Sequence, residues 1–596
     1  MGLLREIRYL KRMAGPAKLV LGLKPGLPRT TADVMEEVVD AHGEKPAIFF
    51  QDQVWTYNDL EEAANRIAHF LHAQGLAQGD VVALNMENRP EFIATWFGAA
   101  KAGVTAALIN TNLGGQQLAH CLNVSNAKLI ILGAELYEKY ETAKDALTLD
   151  APAFVQGGHI QGTNNLDDAL ADLPTTRPAA SLRAGMTMGD NDHFYIYTSG
   201  TTGLPKAAHF SHLKFLTTGA GTAGALDLKP GDRHYICLPL YHSAGGAMAA
   251  GAVLTSGAAM VLTPKFSASR FFKDAVEYNV TSFQYIGELL RYLLNAPVQP
   301  EEKQHKIKLA IGNGLRPEIW DEVEERFNLN HIIEFYGATE GNVILTNLEG
   351  KKGTIGRMPG YLRKAAGMTC VKFDVETDDV VRGPDGLCIE CKPGEAGEAV
   401  GRINFDSKSA AGRFEGYSDE AASSKKILRD VFKKGDAYFR SGDLLKFDRD
   451  GYWYFVDRIG DTFRWKGENV ATSEVAEVMA VMNGVQEVNI YGVQVPGADG
   501  RAGMASIVTG EGFDLQKLYD QTEIDLASYA RPLFVRLQGE MEITGTFKHR
   551  KVELAKDGFD PAKVNEPLYF RDSAAGAYVP LDEALHAKLL AGDIRL

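Results

Sequence analysis

At 596 residues, with 45% hydrophobic and 23% charged side chains, the chain is long enough for several domains of roughly 100–200 residues each and carries no biased tract that argues for disorder. A formal net charge of -14 excludes a broad nucleic-acid-binding surface, which needs Lys and Arg clustered over a whole face. Five cysteines, an odd number, form no disulfide framework and point to a reducing compartment.

The first element is a basic arm, residues 1–30. Arg5, Arg8, Lys11, Arg12, Lys18, Lys24 and Arg29 oppose one acid, Glu6, and Leu3, Leu4, Ile7, Leu10 and Met13 recur at near-helical spacing. Two readings fit such an amphipathic helix: it lies on an anionic membrane surface, or it packs on its own domain. No apolar run approaches the roughly 20 residues needed to span a bilayer, and charges interrupt the apolar run near the start, so no signal peptide is expected. The expected location is cytoplasmic, or peripheral on the cytoplasmic face of a membrane. A homodimer is compatible with the pattern, which fixes no oligomeric state.

From about residue 32 to 147, helix-period segments alternate with short apolar runs such as VVALNM and KLIILG, the pattern of α/β layering. Residues 151–190, rich in Gly, Asn, Pro and Ala, read as a surface excursion. A second α/β stretch follows to about Tyr336, with strands predicted at HFYIYT, HYICLP, AAMVLT and SFQYIG. Beyond Gly353, short segments punctuated by Gly, Pro and Asp predict a small β-rich unit. Within it Cys388 and Cys391 form a CxxC with no second pair or nearby His. Residues three apart on a strand point to opposite faces, so this pair reads as structural and not as a zinc site. A smaller unit runs from about Asp461 to the end. The expected class is α/β: an N-terminal domain over 31–459, made of two α/β subdomains plus the β-rich unit, and a smaller α+β C-terminal domain over 460–596.

The most informative segment is YTSGTTGLPK, residues 197–206, directly after the strand-like run that begins at Phe194. A strand that stops in a run of Gly, Ser and Thr exposes backbone N–H groups and hydroxyls able to surround phosphate oxygens, and Lys206 adds a point charge. No Gly-Lys-Ser/Thr triplet closes the segment and a Pro precedes the lysine, so it is not a Walker loop. A flexible Gly/Ser/Thr linker is the bland alternative, but linkers are seldom framed by a buried strand and a terminal Lys.

This segment resembles the phosphate loop of the adenylate-forming superfamily, and further resemblances follow in the family's order. Gly312-Asn313-Gly314-Leu315 is similar to the loop that flanks adenine, and Phe335-Tyr336-Gly337-Ala338-Thr339-Glu340 to the aromatic-Gly-x-Thr-Glu motif. Ser441-Gly442-Asp443 and Asp457-Arg458 resemble the ribose-binding motifs, and Thr544 to Lys548 the segment with the catalytic lysine. Alone, Asp443 reads as a turn residue, Glu340 as a surface carboxylate and Arg458 as a rim salt bridge; their order beside the loop reverses that.

The resemblance implies an acyl-CoA synthetase-like fold with a mobile C-terminal domain, and the cofactors ATP, Mg2+ and coenzyme A. It implies that Thr198, Ser199, Gly200, Thr201, Thr202, Gly203 and Lys206 hold the β- and γ-phosphates, and that Tyr336 stacks on adenine. Thr339 contacts the α-phosphate, Glu340 binds magnesium, and Asp443 and Arg458 hold the ribose. Lys548 bridges the attacking carboxylate and the α-phosphate. The C-terminal domain then turns about residues 457–461, which brings the Gly467 backbone towards the CoA thiol arm. Two positions depart from the family pattern: Phe547 stands where a Gly often precedes the lysine, and Gly460 where many relatives carry Asp or Lys at the hinge.

Three features bear on the acid. After His242 the run Ser-Ala-Gly-Gly-Ala-Met-Ala-Ala-Gly, which includes Gly246, places little volume along one helix; an apolar tunnel and close helix packing explain it equally well. Acetate-activating relatives carry a bulky aromatic at the slot of Gly337. Finally, the segments from Tyr285 to Leu294 and from Asp461 to Val470 resemble signatures of the fatty acid transport protein and very-long-chain acyl-CoA synthetase branch. His242, Gly246, Tyr285 and Gly337 are thus candidate acyl-pocket residues for a long-chain fatty acid. The rivals are a bile-acid or sterol side-chain acid ligase, a non-catalytic fatty-acid carrier, and an enzyme that delivers the acyl group to a carrier-protein thiol.

Overall fold

The computed structural model describes residues 2–198, 204–375, 377–405, 412–466, 468–496, 498, 500–541 and 551–594. Among these residues, two large sheets dominate the N-terminal domain. One is ordered Asn164–Asn165, Ala153–Gln156, Leu129–Gly133, Val81–Asn85, Thr105–Leu108, Asp192–Thr198 and Lys206–Ser211, parallel except for its last strand. The other is ordered Ile344–Asn347, Ile332–Gly337, Leu309–Asn313, Ser282–Ile286, Arg233–Ile236, Ala259–Leu262, Pro46–Phe50 and Gln53–Thr56, with antiparallel strands at both edges. Their central strands are covered on both faces, which is why VVALN and LIILG read as unbroken apolar runs and not as alternation.

Helices Thr31–His42, Tyr57–Ala73, Pro90–Ala102 and His212–Leu226 share one apolar core with both sheets. The helix Pro90–Ala102 shows how local chemistry sets such an element: Pro90 sits at its first turn and Gly103, at φ 74°, ends it in the left-handed region. The β-rich unit is an antiparallel sheet of Gly356–Arg357, Tyr452–Arg458, Ala437–Phe447, Gly397–Arg402 and Met368–Val371, with Ile427–Arg429 alongside Ala437–Phe447. Cys391 enters one apolar cluster there and Cys388 another, and all five cysteines are buried thiols.

The C-terminal domain has a separate apolar core drawn from residues 463 onward, around the sheet Val485–Gln494, Arg501–Thr509, Phe534–Gln538, Leu568–Asp572 and Ala577–Pro580. Asp457 ties the connection down, accepting the Thr462 hydroxyl at 2.9 Å and the Thr472 N–H at 2.6 Å. Arg291 of the large domain donates to the Gln486 carbonyl at 2.8 Å and meets Glu487 at 3.1 Å.

Two expectations change. The excursion at 151–190 is partly built into the fold: Ala153–Gln156 extends the first sheet in parallel, and the following loop returns Arg177 and Arg183 to the acidic face of Thr31–His42. A four-residue strand is too short to give a periodic signal. The small-residue run after His242 is not one regular helix; Ala244–Ala250 winds as a π-helical segment before Gly251–Ser256 resumes α geometry.

The basic arm forms the helix Gly2–Val20 and packs on the domain. Gly15 crosses Gly224, where an added Cβ on Gly224 would lie 2.6 Å from the Pro16 backbone. Tyr9 is buried and donates to the Arg357 carbonyl at 2.8 Å, Glu6 pairs with Arg357, and Arg5 meets Asp450 at 2.7 Å. No helix among the described residues is long and apolar enough to cross a membrane.

Candidate active site

The strand Asp192–Thr198 carries the chain to the phosphate segment and Lys206–Ser211 returns it antiparallel, so Thr198 and Lys206 face each other across the mouth of that loop. Ser199, Gly200, Thr201, Thr202 and Gly203 lie outside the described residues, as do Gly467 and Lys548. Tyr417 approaches from the β-rich side, its ring centroid 5.8 Å from Lys206 Nζ. Glu340 and Thr198 both lie beside the Tyr417 hydroxyl; burial first, then the Glu340 charge, raises its pKa. Tyr417 thus joins the phosphate segment to the Thr339-Glu340 motif.

Glu340 is almost wholly buried, with Lys426 Nζ 3.5 Å from its carboxylate. Thr339 Oγ1 lies 3.0 Å from Ser243 Oγ, which brings the π-helical segment to the same motif. His242 organises that segment: its Nδ1 accepts the Ala244 N–H at 3.3 Å and its carbonyl accepts the Gly246 N–H at 2.8 Å. A Cβ on Gly246 would lie 2.3 Å from the Leu240 carbonyl oxygen, and one on Gly219 2.7 Å from the Gly251 backbone. The small residues here therefore serve close backbone approach.

The strand Ile332–Gly337 presents Glu334 and Tyr336 on one face. The Tyr336 hydroxyl donates to Asp443 Oδ2 at 2.5 Å, and burial followed by Asp443 drives its pKa far up. Asp443 is cross-strand from Arg458, which is exposed. A Cβ added at Gly337 would meet the Val343 carbonyl oxygen at 3.7 Å, an ordinary van der Waals contact. Glu334 accepts the N–H groups of Gly314 and Leu315 at 3.0 and 3.1 Å and the Tyr285 hydroxyl at 2.6 Å. Burial pushes its carboxyl up to about 8, against the pull of those three donors. Tyr285, expected at the acyl pocket, is wholly buried behind the loop that carries Gly312, Asn313 and Gly314.

The fold thus brings Thr198, Lys206, Thr339, Glu340, Tyr336 and Asp443 to one region, where the end of the first sheet meets the edge of the second. Tyr417, Lys426 and Ser243 lie beside them and Glu334 is buried behind them; none of the four stood out in the sequence. The adjacent Lys425-Lys426 pair and the acid two places before Tyr336 were the available signals.

Residues 35–398 match the family described as AMP-binding enzyme. The chain belongs to that family. This AMP-binding enzyme is 45% identical over 548 residues to long-chain fatty acid transport protein 1 of Mus musculus, covering 91% of this chain and 84% of the relative. It is 41% identical over 602 residues to long-chain fatty acid transport protein 2 of Rattus norvegicus, covering 100% and 96%. Among solved structures, the anthranilate CoA ligase AuaEII in complex with anthranoyl-AMP aligns at a TM-score of 0.76 and 22% identity, over 89% of this chain and 97% of that one. A Mycobacterium tuberculosis fatty acyl CoA synthetase aligns at 0.61 and 24%, over 88% and 98%. These likenesses give the fold, a large N-terminal and a small C-terminal domain.

ATP, magnesium and CoA are the cofactors of acyl-CoA synthetases in this family. Among the described residues no group of three His, Cys, Asp or Glu forms a protein cage for a metal. The Glu340 carboxylate suits magnesium, which is bound through one or two carboxylates together with water and substrate phosphates.

Proposed function

We propose that this enzyme is a long-chain fatty acid:CoA ligase. A carboxylate oxygen attacks the α-phosphorus of ATP and pyrophosphate leaves; the CoA sulfur then attacks the acyl carbonyl, loses its thiol proton, and AMP leaves. Both reactants of the first step are anions, so the protein's task is to neutralise charge and align the groups. The observation that carries the reading is the convergence of Thr198, Lys206 and Glu340 on Tyr417, which brings together stretches distant in sequence. The substrate class rests on the relatives, whose names specify long-chain fatty acids.

In this reading Ser199, Gly200, Thr201, Thr202, Gly203 and Lys206 hold the β- and γ-phosphates, and Gly312 to Gly314 with Tyr336 hold the base. Thr339 meets the α-phosphate, Asp443 and Arg458 hold the ribose, and Lys548 bridges the two anions. Glu340 would hold magnesium, which would supply positive charge beside the phosphates. Gly460, at φ 93° with nothing within 4 Å of an added Cβ, is the hinge for the turn that brings Gly467 towards CoA. The outer face of Gly2–Val20 exposes Ile7, Leu10 and Leu19 beside Arg8 and Lys11, a composition that fits an anionic membrane surface. Activation there would trap an entering fatty acid as a charged thioester. Co-sedimentation with phosphatidylserine vesicles but not with neutral vesicles is the expected result.

The test of the function is a substrate panel with the purified chain, ATP, magnesium and CoA, read as pyrophosphate and thioester. Long-chain fatty acids should give the highest kcat/KM and acetate the lowest. A higher kcat/KM with a bile acid would replace the substrate class. No thioester with any acid would reject the ligase reading in favour of a carrier, and transfer only to a carrier-protein thiol would reject CoA as acceptor.

A further inference from the structure

Glu334 is an unusual occupant of a strand centre. A carboxyl group removed entirely from water is costly unless every oxygen is hydrogen-bonded, and an apolar side chain of similar size is often the more stable choice. Here both oxygens are engaged. Oε2 accepts the Gly314 N–H at 3.0 Å, while Oε1 accepts the Leu315 N–H at 3.1 Å and the Tyr285 hydroxyl at 2.6 Å. Two of the three donors are backbone groups of one tight turn, in which Gly314 stands at φ 82°.

The opposite side of that turn is also closed. A Cβ on Gly287 would lie 1.8 Å from the Gly314 carbonyl oxygen, and one on Gly312 would lie 2.5 Å from the Tyr285 ring. Residues 312–315 are therefore wedged between the backbone at Gly287 and the Glu334 carboxylate. Two residues further along the same face of the strand, Tyr336 donates to Asp443 at 2.5 Å. One strand thus holds the turn on one side and the Asp443 carboxylate on the other.

We propose that Glu334, seated on Tyr285, is a positioning residue for the nucleotide: it fixes residues 312–315 in the shape that receives the base, in register with Tyr336 and Asp443. The inference rests on the adenylate-forming function proposed above. Glu334 touches no substrate; its effect passes through the Gly314 and Leu315 N–H groups. Glu334→Gln replaces one accepting oxygen by an amide that can only donate, so one of the two N–H groups loses its partner. Tyr285→Phe keeps the carboxyl and removes a single donor.

The experiment measures KM for ATP and for a long-chain fatty acid, the Kd for AMP by titration calorimetry, and Tm. Glu334→Gln should raise KM for ATP and Kd for AMP about tenfold and leave KM for the fatty acid within about twofold. Tyr285→Phe should raise the two nucleotide constants about threefold with the same selectivity. The double variant should weaken nucleotide binding no more than Glu334→Gln does, because both act on one carboxyl. Equal rises in both KM values, or an unchanged Kd for AMP in folded variants, would overturn the proposal. If Glu334→Gln does not fold, Tyr285→Phe decides by the same split. If the wild-type enzyme forms no thioester, the ligase reading fails while the AMP titration still tests this residue.

Discussion

Lys101 and Lys426 are both paired with carboxylates inside the large domain, in contrasting surroundings. Lys101 is wholly buried, its Nζ 2.6 Å from Glu36 and 2.8 Å from Glu61. Arg177 meets Glu61 and Asp40, and Arg183 meets Glu36 and Asp33, all within 2.9 Å, so each acid has a close cation. The partners come from three helices and the returning loop, which makes the network a staple between elements. Lys426 is partly exposed and sits 3.5 Å from Glu340, with Tyr417 and Lys206 nearby. The first network pairs four carboxylates with three cations at hydrogen-bond distance. The second keeps its charges loosely coupled, which is what a site must do if a polyanion and a divalent cation are to enter it.

The largest expected effect removes the charge proposed to bridge the two reacting anions. Lys548→Ala should slow pyrophosphate release on the order of a hundredfold to a thousandfold, while thioester formation from supplied acyl-adenylate is largely retained. Equal loss of both steps would contradict that division of labour. Lys101→Met makes the converse change, removing the wholly buried cation and leaving Glu36 and Glu61 with one arginine each, Arg183 and Arg177. It should cost about 3–5 kcal/mol in urea unfolding with activity per folded molecule unchanged. Lys426→Met should reverse that pattern, with kcat/KM for ATP down about tenfold and the unfolding midpoint little moved. A stability loss at Lys426 as large as at Lys101 would erase the contrast.

The smallest effect sharpens the closed side. His212 Nδ1 accepts the Thr31 N–H at 3.2 Å at the head of the helix that carries Asp33, Glu36 and Asp40, and burial pulls its pKa down to about 3. The folded chain keeps this imidazole neutral, whereas the unfolded chain takes up a proton near pH 6.5. The stability it contributes is complete above that pH and is lost as pH falls from about 6.5 towards 3. Between pH 6.5 and 5.5 the loss is about 1 kcal/mol, and His212→Gln should flatten the urea-midpoint profile by that amount. His193 and His234 are buried neutral in the same way, so the wild-type slope is steeper than that of one group alone.

The open site was the more legible of the two in the sequence. Phosphate-holding chemistry is local: one strand end, one run of small hydroxylic residues and one lysine specify it, and YTSGTTGLPK stands out without any partner. Apolar runs such as VVALN and SFQYI read directly as buried strands because both faces are covered. What stayed hidden depends on partners far along the chain. Lys101 reads as a basic residue in the last turn of a helix, and only the packing of Thr31–His42 and Tyr57–Ala73 reveals it as buried. Tyr417 reads as a turn aromatic, and Glu334 as an acid on a strand that would face water; the loop folded over it supplies its donors. The small residues near Gly246 supported a tunnel and close packing equally, and the backbone contacts at Gly245, Gly246 and Gly219 use that smallness for packing.

The measurement that bears most directly on the open cleft follows oxygen. With both carboxylate oxygens of a long-chain fatty acid labelled as oxygen-18, attack on the α-phosphorus and cleavage by CoA leave one labelled oxygen in the AMP and none in the pyrophosphate. That is the result expected of this site. Label recovered in inorganic phosphate, with ADP as the nucleotide product, would mean attack on the γ-phosphorus and would contradict the account.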